Sequence, residues 1–278
     1  MPARRPERVV CLTEESVETL YLLGEQDRIV GISGFTVRPP EARRTKPKVS
    51  AFTSAKHEKI LALEPDLVVG FSDLQADIAA ELVRRGANVY IANHRSVAGI
   101  LEQVLLLASM VGASAKGEAL VERLEARVEA VRRAAEALPV RPRVYFEEWD
   151  EPMISAIRWV SEIVSIAGGE DVFEALSHEG AGRDRIVADP EEVIRRDPEL
   201  IVGSWCGKRF RAEKVAARPG WDRISAVRAG RLHEIKSPEI LQPGPAALTD
   251  GLDRMAALVA GTAGAVAAER DGRAPRVG

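Results

Sequence analysis

Short, wholly apolar runs recur along the chain, separated by segments of helical spacing. In the first half these runs are Val9–Leu12, Ile29–Ile32, Leu67–Val69 and Val89–Ala92. A run that is apolar throughout, rather than at alternate positions, suits a parallel strand covered on both faces. The intervening pattern predicts helices at Ser16–Leu23, His57–Leu63, Gln75–Arg85 and Val97–Val111. The second half offers strands at Val144–Glu147, Leu200–Gly203 and Leu232–Ile235, with helices at Val160–Ala167, Pro190–Arg196 and Pro245–Val259. Strand–helix alternation of this kind predicts an α/β fold with a mostly parallel sheet in each half.

The chain repeats itself once. Glu58–Gly70 reads as a helix end, an acidic-Pro-acidic corner (Glu64-Pro65-Asp66) and a buried strand. Glu191–Gly203 reads the same way, with Asp197-Pro198-Glu199 at the corner. Each half also begins with an Arg-Val strand, Arg8-Val9-Val10 and Arg143-Val144-Tyr145, followed by a helix that stops at glycine, Gly24 and Gly168. Several matching pieces in one order predict two similar lobes.

Between the halves lies one long helical stretch, about Ser114 to Leu138. Leu120, Leu124, Val128, Val131 and Leu138 keep helical spacing, and Pro139 and Pro142 end it. At 1.5 Å per residue it would span roughly 37 Å. The expected organisation is a lobe over residues 7–112, a linking helix over 113–139, a second lobe over 140–264 and a disordered tail over 265–278.

Composition narrows the function classes. Lys plus Arg is 39 and Asp plus Glu 42, a net charge of −3, so no general basic field for nucleic acid exists. No run reaches the ~18 apolar residues of a membrane span. The basic start Arg4-Arg5 resembles the head of an export signal, but Glu14, Glu15 and Glu18 interrupt any apolar segment after it. The expectation is a cytoplasmic protein, or one read without its leader. Two cysteines, Cys11 and Cys206, permit one disulfide, although two thiols lodged in the fold are expected.

Catalytic motifs are missing. Gly203–Arg209 has two glycines and a lysine, but not the spacing of a phosphate loop. His57, His94, His178 and His233 are scattered, and only His178, in a polar loop, invites attention as a ligand. Glu147 and Glu148, adjacent on a strand, point to opposite faces and are poorly placed to act together.

Aromatic residues mark the strand ends. Phe52, Phe71, Trp149 and Trp205 follow strands or precede helices, and Trp159 opens a helix. Ligands of open α/β sheets bind beyond the carboxyl ends of the strands. The pattern therefore suggests a flat, partly apolar ligand. Arg183, Arg185, Lys208 and Arg209 could meet acidic groups of such a ligand.

Two lobes related by a repeat and joined by one long helix resemble the helical-backbone (class III) substrate-binding proteins of ABC importers for cobalamin, ferric siderophores and haem. Lys59–Val68, Pro219–Ile235 and Gln242–Leu252 carry the resemblance, the last being similar to the cobalamin-binding branch. It implies a non-enzymatic, monomeric protein that holds a cobalamin-like corrinoid between its lobes and delivers it to an importer permease outside the cytoplasm. It places Phe52, Phe71, Trp149, Trp159 and Trp205 at the ligand, and the basic segments set Arg185 and Cys206 beside them as further candidates. It makes Asp77, where the family usually has Glu, and Glu213 the permease-docking residues. A depressed pKa would let the Cys206 thiolate ligate cobalt or iron. Three alternatives stand beside this reading: a ferric-siderophore or haem importer component, a cytosolic relative that stores or senses a tetrapyrrole, and an enzyme with a convergent His/Cys/carboxylate set.

Overall fold

The structure, a computed structural model, describes residues 5–272. The first half runs β1 (Val9–Cys11), α1 (Glu14–Leu22), β2 (Ile29–Ser33), α2 (Pro40–Thr45), β3 (Lys48–Ser50), α3 (His57–Leu61), β4 (Leu67–Phe71), α4 (Ala76–Arg84), β5 (Val89–Ala92) and α5 (Val97–Val111). Helix α6 (Ser114–Glu136) follows. The second half runs β6 (Arg143–Asp150), β7 (Met153–Ser155), α7 (Arg158–Ile166), β8 (Glu170–Asp171), α8 (Glu174–Ser177), α9 (Pro190–Arg196), β9 (Leu200–Gly203), α10 (Ala212–Ala216), α11 (Ser225–Arg228), β10 (Leu232–Glu234), α12 (Ser237–Ile240) and α13 (Asp250–Arg270).

Two compact units result. One comprises the chain up to His94, Ala98–Glu125 and Gln242–Ala246; the other comprises Arg95–Val97, Ala126–Leu241 and the chain from Ala247. Helix α6 begins in the first and ends in the second. The first unit holds a fully parallel sheet of order β3-β2-β1-β4-β5. Val9, Cys11 and Val69 face one buried layer, with Leu20, Ile29 and Leu107. Val10, Leu12 and Val68 face the other, with Val49, Ile60 and Leu82. Cover on both faces explains why these strands are apolar throughout.

The second unit's sheet has the order β10-β9-β6-β7, and β8 also pairs with the start of β6. Its pairs are parallel except β6 with β7. The repeat extends to hydrogen bonds. Arg8 N–H donates to the Asp66 carboxylate at 3.0 Å, and Arg143 N–H to that of Glu199 at 3.0 Å. Arg8 Nε caps Leu63 O and Arg143 Nε caps Asp197 O, both at 2.9 Å. Before each corner proline the residue is left-handed, Glu64 at φ 46° and Asp197 at φ 43°.

Several expectations are corrected. Strands β3 and β7 and helix α2 were not anticipated. The helix expected over Pro245–Val259 is a short 3-10 turn, Pro245–Leu248, followed by α13. That helix continues to Arg270, so residues 265–270 of the expected disordered tail are helical, and 273–278 lie outside the described residues. Residues Gln242–Ala246, expected in the second lobe, pack with the first unit: Ala246 N–H donates to Glu18 Oε2 at 3.0 Å, and His94 Nε2 lies 3.1 Å from Pro243 O.

Candidate functional site

In the first unit the strands β1 to β5 all end toward one edge, and the loops beyond them carry the candidate side chains. Gln75 ties two of these loops together. Its Oε1 accepts the Phe71 N–H at 3.0 Å and its Nε2 donates to Phe52 O at 2.8 Å. Phe52 is half-buried. Phe71 is buried and meets the His94 ring edge-on, centroids 5.2 Å apart. Two exposed apolar residues escaped the sequence reading: Phe35, 62% exposed after β2, and Leu74, 59% exposed after β4. The turn glycine before Phe35 was the available signal.

At the end of β1, the central strand, helix α1 opens with buried Glu14 and Glu15. Glu14 Oε1 accepts the Arg38 N–H at 2.7 Å and the Val37 N–H at 3.3 Å. Glu15 accepts the Thr13 hydroxyl, and its Oε2 is buried without a partner. Burial pushes Glu14 up to about 8 and Glu15 up to about 7. Glu14 locks the loop after β2 onto α1, while Glu15 ties to Thr13 just before the helix; sequence reading used both only as interruptions of an export signal.

In the second unit, β6, β9 and β10 end together. Gly203, the last residue of β9, leaves room for the Phe210 ring, which a Cβ there would overlap. Phe210 in turn meets Trp205 edge-on at 5.0 Å. Trp205 is buried and its Nε1 donates to Glu147 Oε1 at 3.1 Å. Glu147 also receives Arg218 and the Tyr145 hydroxyl. Burial and the nearby Glu147 push the Tyr145 phenol far up.

Trp149 is half-buried at the rim, its Nε1 donating to Glu151 O at 2.9 Å. Lys208 Nζ stands 4.0 Å from the Trp149 ring centroid and 5.1 Å from that of Trp205. The same ammonium pairs with Asp150, and Lys214 Nζ lies 3.6 Å from Asp150 Oδ2. Burial pushes Asp150 upward, yet the Lys208 hydrogen bond and charge outweigh it and its pKa is lowered.

The remaining expected residues are placed as follows. Trp159 is interior, donating from Nε1 to Ile240 O at 2.9 Å. Arg185 is 2% exposed; its guanidinium pairs with Glu148 at 2.8 and 3.1 Å and donates to Ser155 O. So enclosed, the guanidinium is already held by partners within the second unit. Cys206 is exposed and Cys11 buried, and neither is in a disulfide, so only one of the two thiols is lodged in the core. Burial pushes Cys11 up to about 12. Asp77 and Glu213 are exposed in the first turns of α4 and α10, Glu213 paired with Arg211 at 2.8 Å. His178 is exposed.

Comparison with known proteins completes this picture. The family described as periplasmic binding protein matches residues 9–239. A cobalamin-binding protein of Halobacterium salinarum is 25% identical over 260 residues, covering 90% of this chain and 69% of the relative. A vitamin B12-binding protein of Vibrio parahaemolyticus is 25% identical over 246 residues, covering 87% and 86%. Among solved structures, the haem-binding protein of Roseiflexus sp. RS-1 superposes with TM-score 0.79 at 22% identity, covering 92% of this chain and 99% of that one. The vitamin B12 binding protein of Vibrio cholerae gives 0.75 at 20% identity, covering 93% and 98%.

Proposed function

Because the chain belongs to the periplasmic binding protein family, a family of non-enzymatic ABC-transport substrate-binding proteins, we propose that its ligand is a cobalamin-like corrinoid. The observation that carries this reading is the charge balance around the aromatic rim of the second unit. Arg185 is paired with Glu148 and Lys208 with Asp150, so these two cations, which would attract an anionic ferric siderophore, are already neutralised. What the rim offers is the half-buried ring of Trp149; the first unit, by itself, carries Phe52, Phe35 and Leu74 in the loops beyond its own strands. A corrin is broad, apolar on its faces and fringed with neutral amides. Aromatic and aliphatic surfaces with balanced polar groups suit it. The relatives named for cobalamin or vitamin B12 support the same choice.

Delivery to an ABC permease follows from the family, with docking by Asp77 and Glu213, each on the exposed first turn of a helix. Among the described residues no helix is long and apolar enough to cross a membrane.

The test is a tryptophan-fluorescence titration with cyanocobalamin, cobinamide, haem and a ferric siderophore, corrected for inner-filter absorption and checked by calorimetry. Saturable one-to-one binding of a corrinoid, tighter than that of the other chelates, is expected. Haem or siderophore binding with no corrinoid binding would overturn the assignment.

A further inference from the structure

Charge is spread unevenly along the first unit. Residues 38–59 hold seven Lys and Arg against two Glu, a net +5 in a chain whose total is −3, so the remainder stands at −8. The segment supplies α2, β3 and α3, at the outer edge of the parallel sheet. Arg38 pairs with Glu18, and Glu58 with Arg85. Among the described residues the other six cations, Arg43, Arg44, Lys46, Lys48, Lys56 and Lys59, form no ion pair. All but Lys46 are exposed.

Three of the six are fixed by main-chain carbonyls instead. Arg43 Nη1 donates to Gly34 O at 2.8 Å and to Thr36 O at 3.1 Å. Lys46 Nζ donates to Gln26 O at 2.9 Å and Lys48 Nζ to Arg43 O at 2.6 Å. A neutral carbonyl orients a cation without cancelling its charge. Crowded like charges repel one another and oppose folding. Protection of a bare strand edge, a common use of lysine, does not account for them. The edge of β3 is already covered: Ser50 bridges Ala55, and the Lys56 N–H donates to Val49 O at 2.9 Å. The two Arg43 bonds also bracket Phe35, whose ring is 62% exposed.

We infer that this edge of the first unit is a docking surface for an anionic lipid bilayer, the six cations meeting headgroup phosphates and Phe35 entering the interface beside them. Basic residues with an aromatic ring alongside are the pattern of interfacial membrane contact. Each cation near an anionic leaflet strengthens binding about fivefold. An acidic protein face would meet the charges but leave the ring in water. The net −8 of the remainder is repelled by the same bilayer, which favours contact through this edge. The corrinoid reading also draws on Phe35, so the experiment leaves that residue in place and changes charge alone.

The experiment is co-sedimentation of the full chain with vesicles of phosphatidylcholine, alone or mixed in equal parts with phosphatidylglycerol. Sedimentation with the anionic vesicles only is expected, with release at about 1 M salt, where the Debye length falls to about 3 Å. Arg44→Glu, Lys56→Glu and Lys59→Glu together should weaken binding about a hundredfold or more. These three side chains are exposed and unpaired, so the variant should keep the wild-type Tm. Arg123→Glu, Arg132→Glu and Arg133→Glu together, on exposed positions of α6, make the same change in net charge and should cost less than about threefold. Equal sedimentation with neutral vesicles, binding that survives high salt, or equal losses in the two triple variants would overturn the inference. Retention on poly-glutamate without sedimentation on anionic vesicles would overturn it in favour of an acidic polypeptide partner.

Discussion

Arg218 grips the fully buried carboxylate of Glu147 through both terminal nitrogens, Nη1 to Oε2 at 2.5 Å and Nη2 to Oε1 at 3.0 Å. The Trp205 indole and the Tyr145 hydroxyl complete the shell of donors. Removing one partner of such a pair strands a desolvated charge. Arg218→Met should therefore lower the unfolding free energy by about 3–5 kcal/mol. Adding Glu147→Gln should recover part of that loss, because the stranded charge disappears. Equilibrium urea unfolding of the three proteins checks this; a loss below about 1 kcal/mol for Arg218→Met would show that the pair does not hold the unit together.

Glu14 and Glu15 give stability an unusual pH slope. Both are raised by burial, from 4.5 to about 8 and about 7. Between 4.5 and 8 the folded chain holds more of these protons than the unfolded chain, so this contribution to stability falls as pH rises through that window. Carboxylates that salt bridges hold low, such as Glu25 with Lys116 and Arg28, act oppositely: their contribution is present above their unfolded pKa and lost on acidification. Tm should decline from pH 5.5 to 8.5, and Glu15→Gln should flatten the decline. A variant whose Tm tracks wild type across the whole range would remove Glu15 from the account.

The thiols should differ sharply in reactivity. The Cys11 thiol lies in the core of the first sheet and stays protonated, whereas Cys206 is exposed on a polar loop. The thiolate is the reacting species, so an aromatic disulfide reagent should label one thiol per native chain and two after denaturation. Cys206→Ser should abolish the native signal. Two rapid native equivalents would contradict the buried position of Cys11.

The paired lobes were legible in sequence because a parallel strand buried on both faces leaves an uninterrupted apolar run, as Val9–Leu12 and Leu200–Val202 do. The Glu64-Pro65-Asp66 and Asp197-Pro198-Glu199 corners were legible too, since the same backbone geometry and the same arginine contacts constrain both. Strand β3 was not: of Lys48, Val49 and Ser50 only Val49 is buried, too little pattern to read. The attachment of Gln242–Ala246 to the first unit rests on hydrogen bonds to Glu18 and His94, residues more than 140 positions away. Side-chain fate at the strand ends was the least legible part. Trp149, in the last residues of β6, and Trp205, two residues past β9, both mark strand ends, and only packing separates a rim residue from a buried one. Trp159, expected at the ligand, differs: its helix buries Trp159, Val160, Ile163 and Val164, a helical spacing that was available in the sequence as a core signal.

The rim of the second unit yields a prediction that discriminates ligand classes. Trp149 presents a half-buried face, and Lys208 stands over it with its charge balanced by Asp150. A neutral corrinoid would use the aromatic surface and have little need of the ammonium. Trp149→Ala should then weaken cyanocobalamin binding about tenfold or more, the order expected for losing one aromatic contact. Lys208→Met should change it by less than about threefold, with little dependence on salt, since a paired surface charge contributes little. An anionic ligand would reverse the pattern. Carboxylates would compete with Asp150 for Lys208, Lys208→Met would carry the larger loss, and added salt would weaken binding in wild type. Calorimetric titration of both variants at low and high ionic strength distinguishes the cases, and a dominant Lys208 effect would turn the assignment from a corrinoid toward haem or a ferric siderophore.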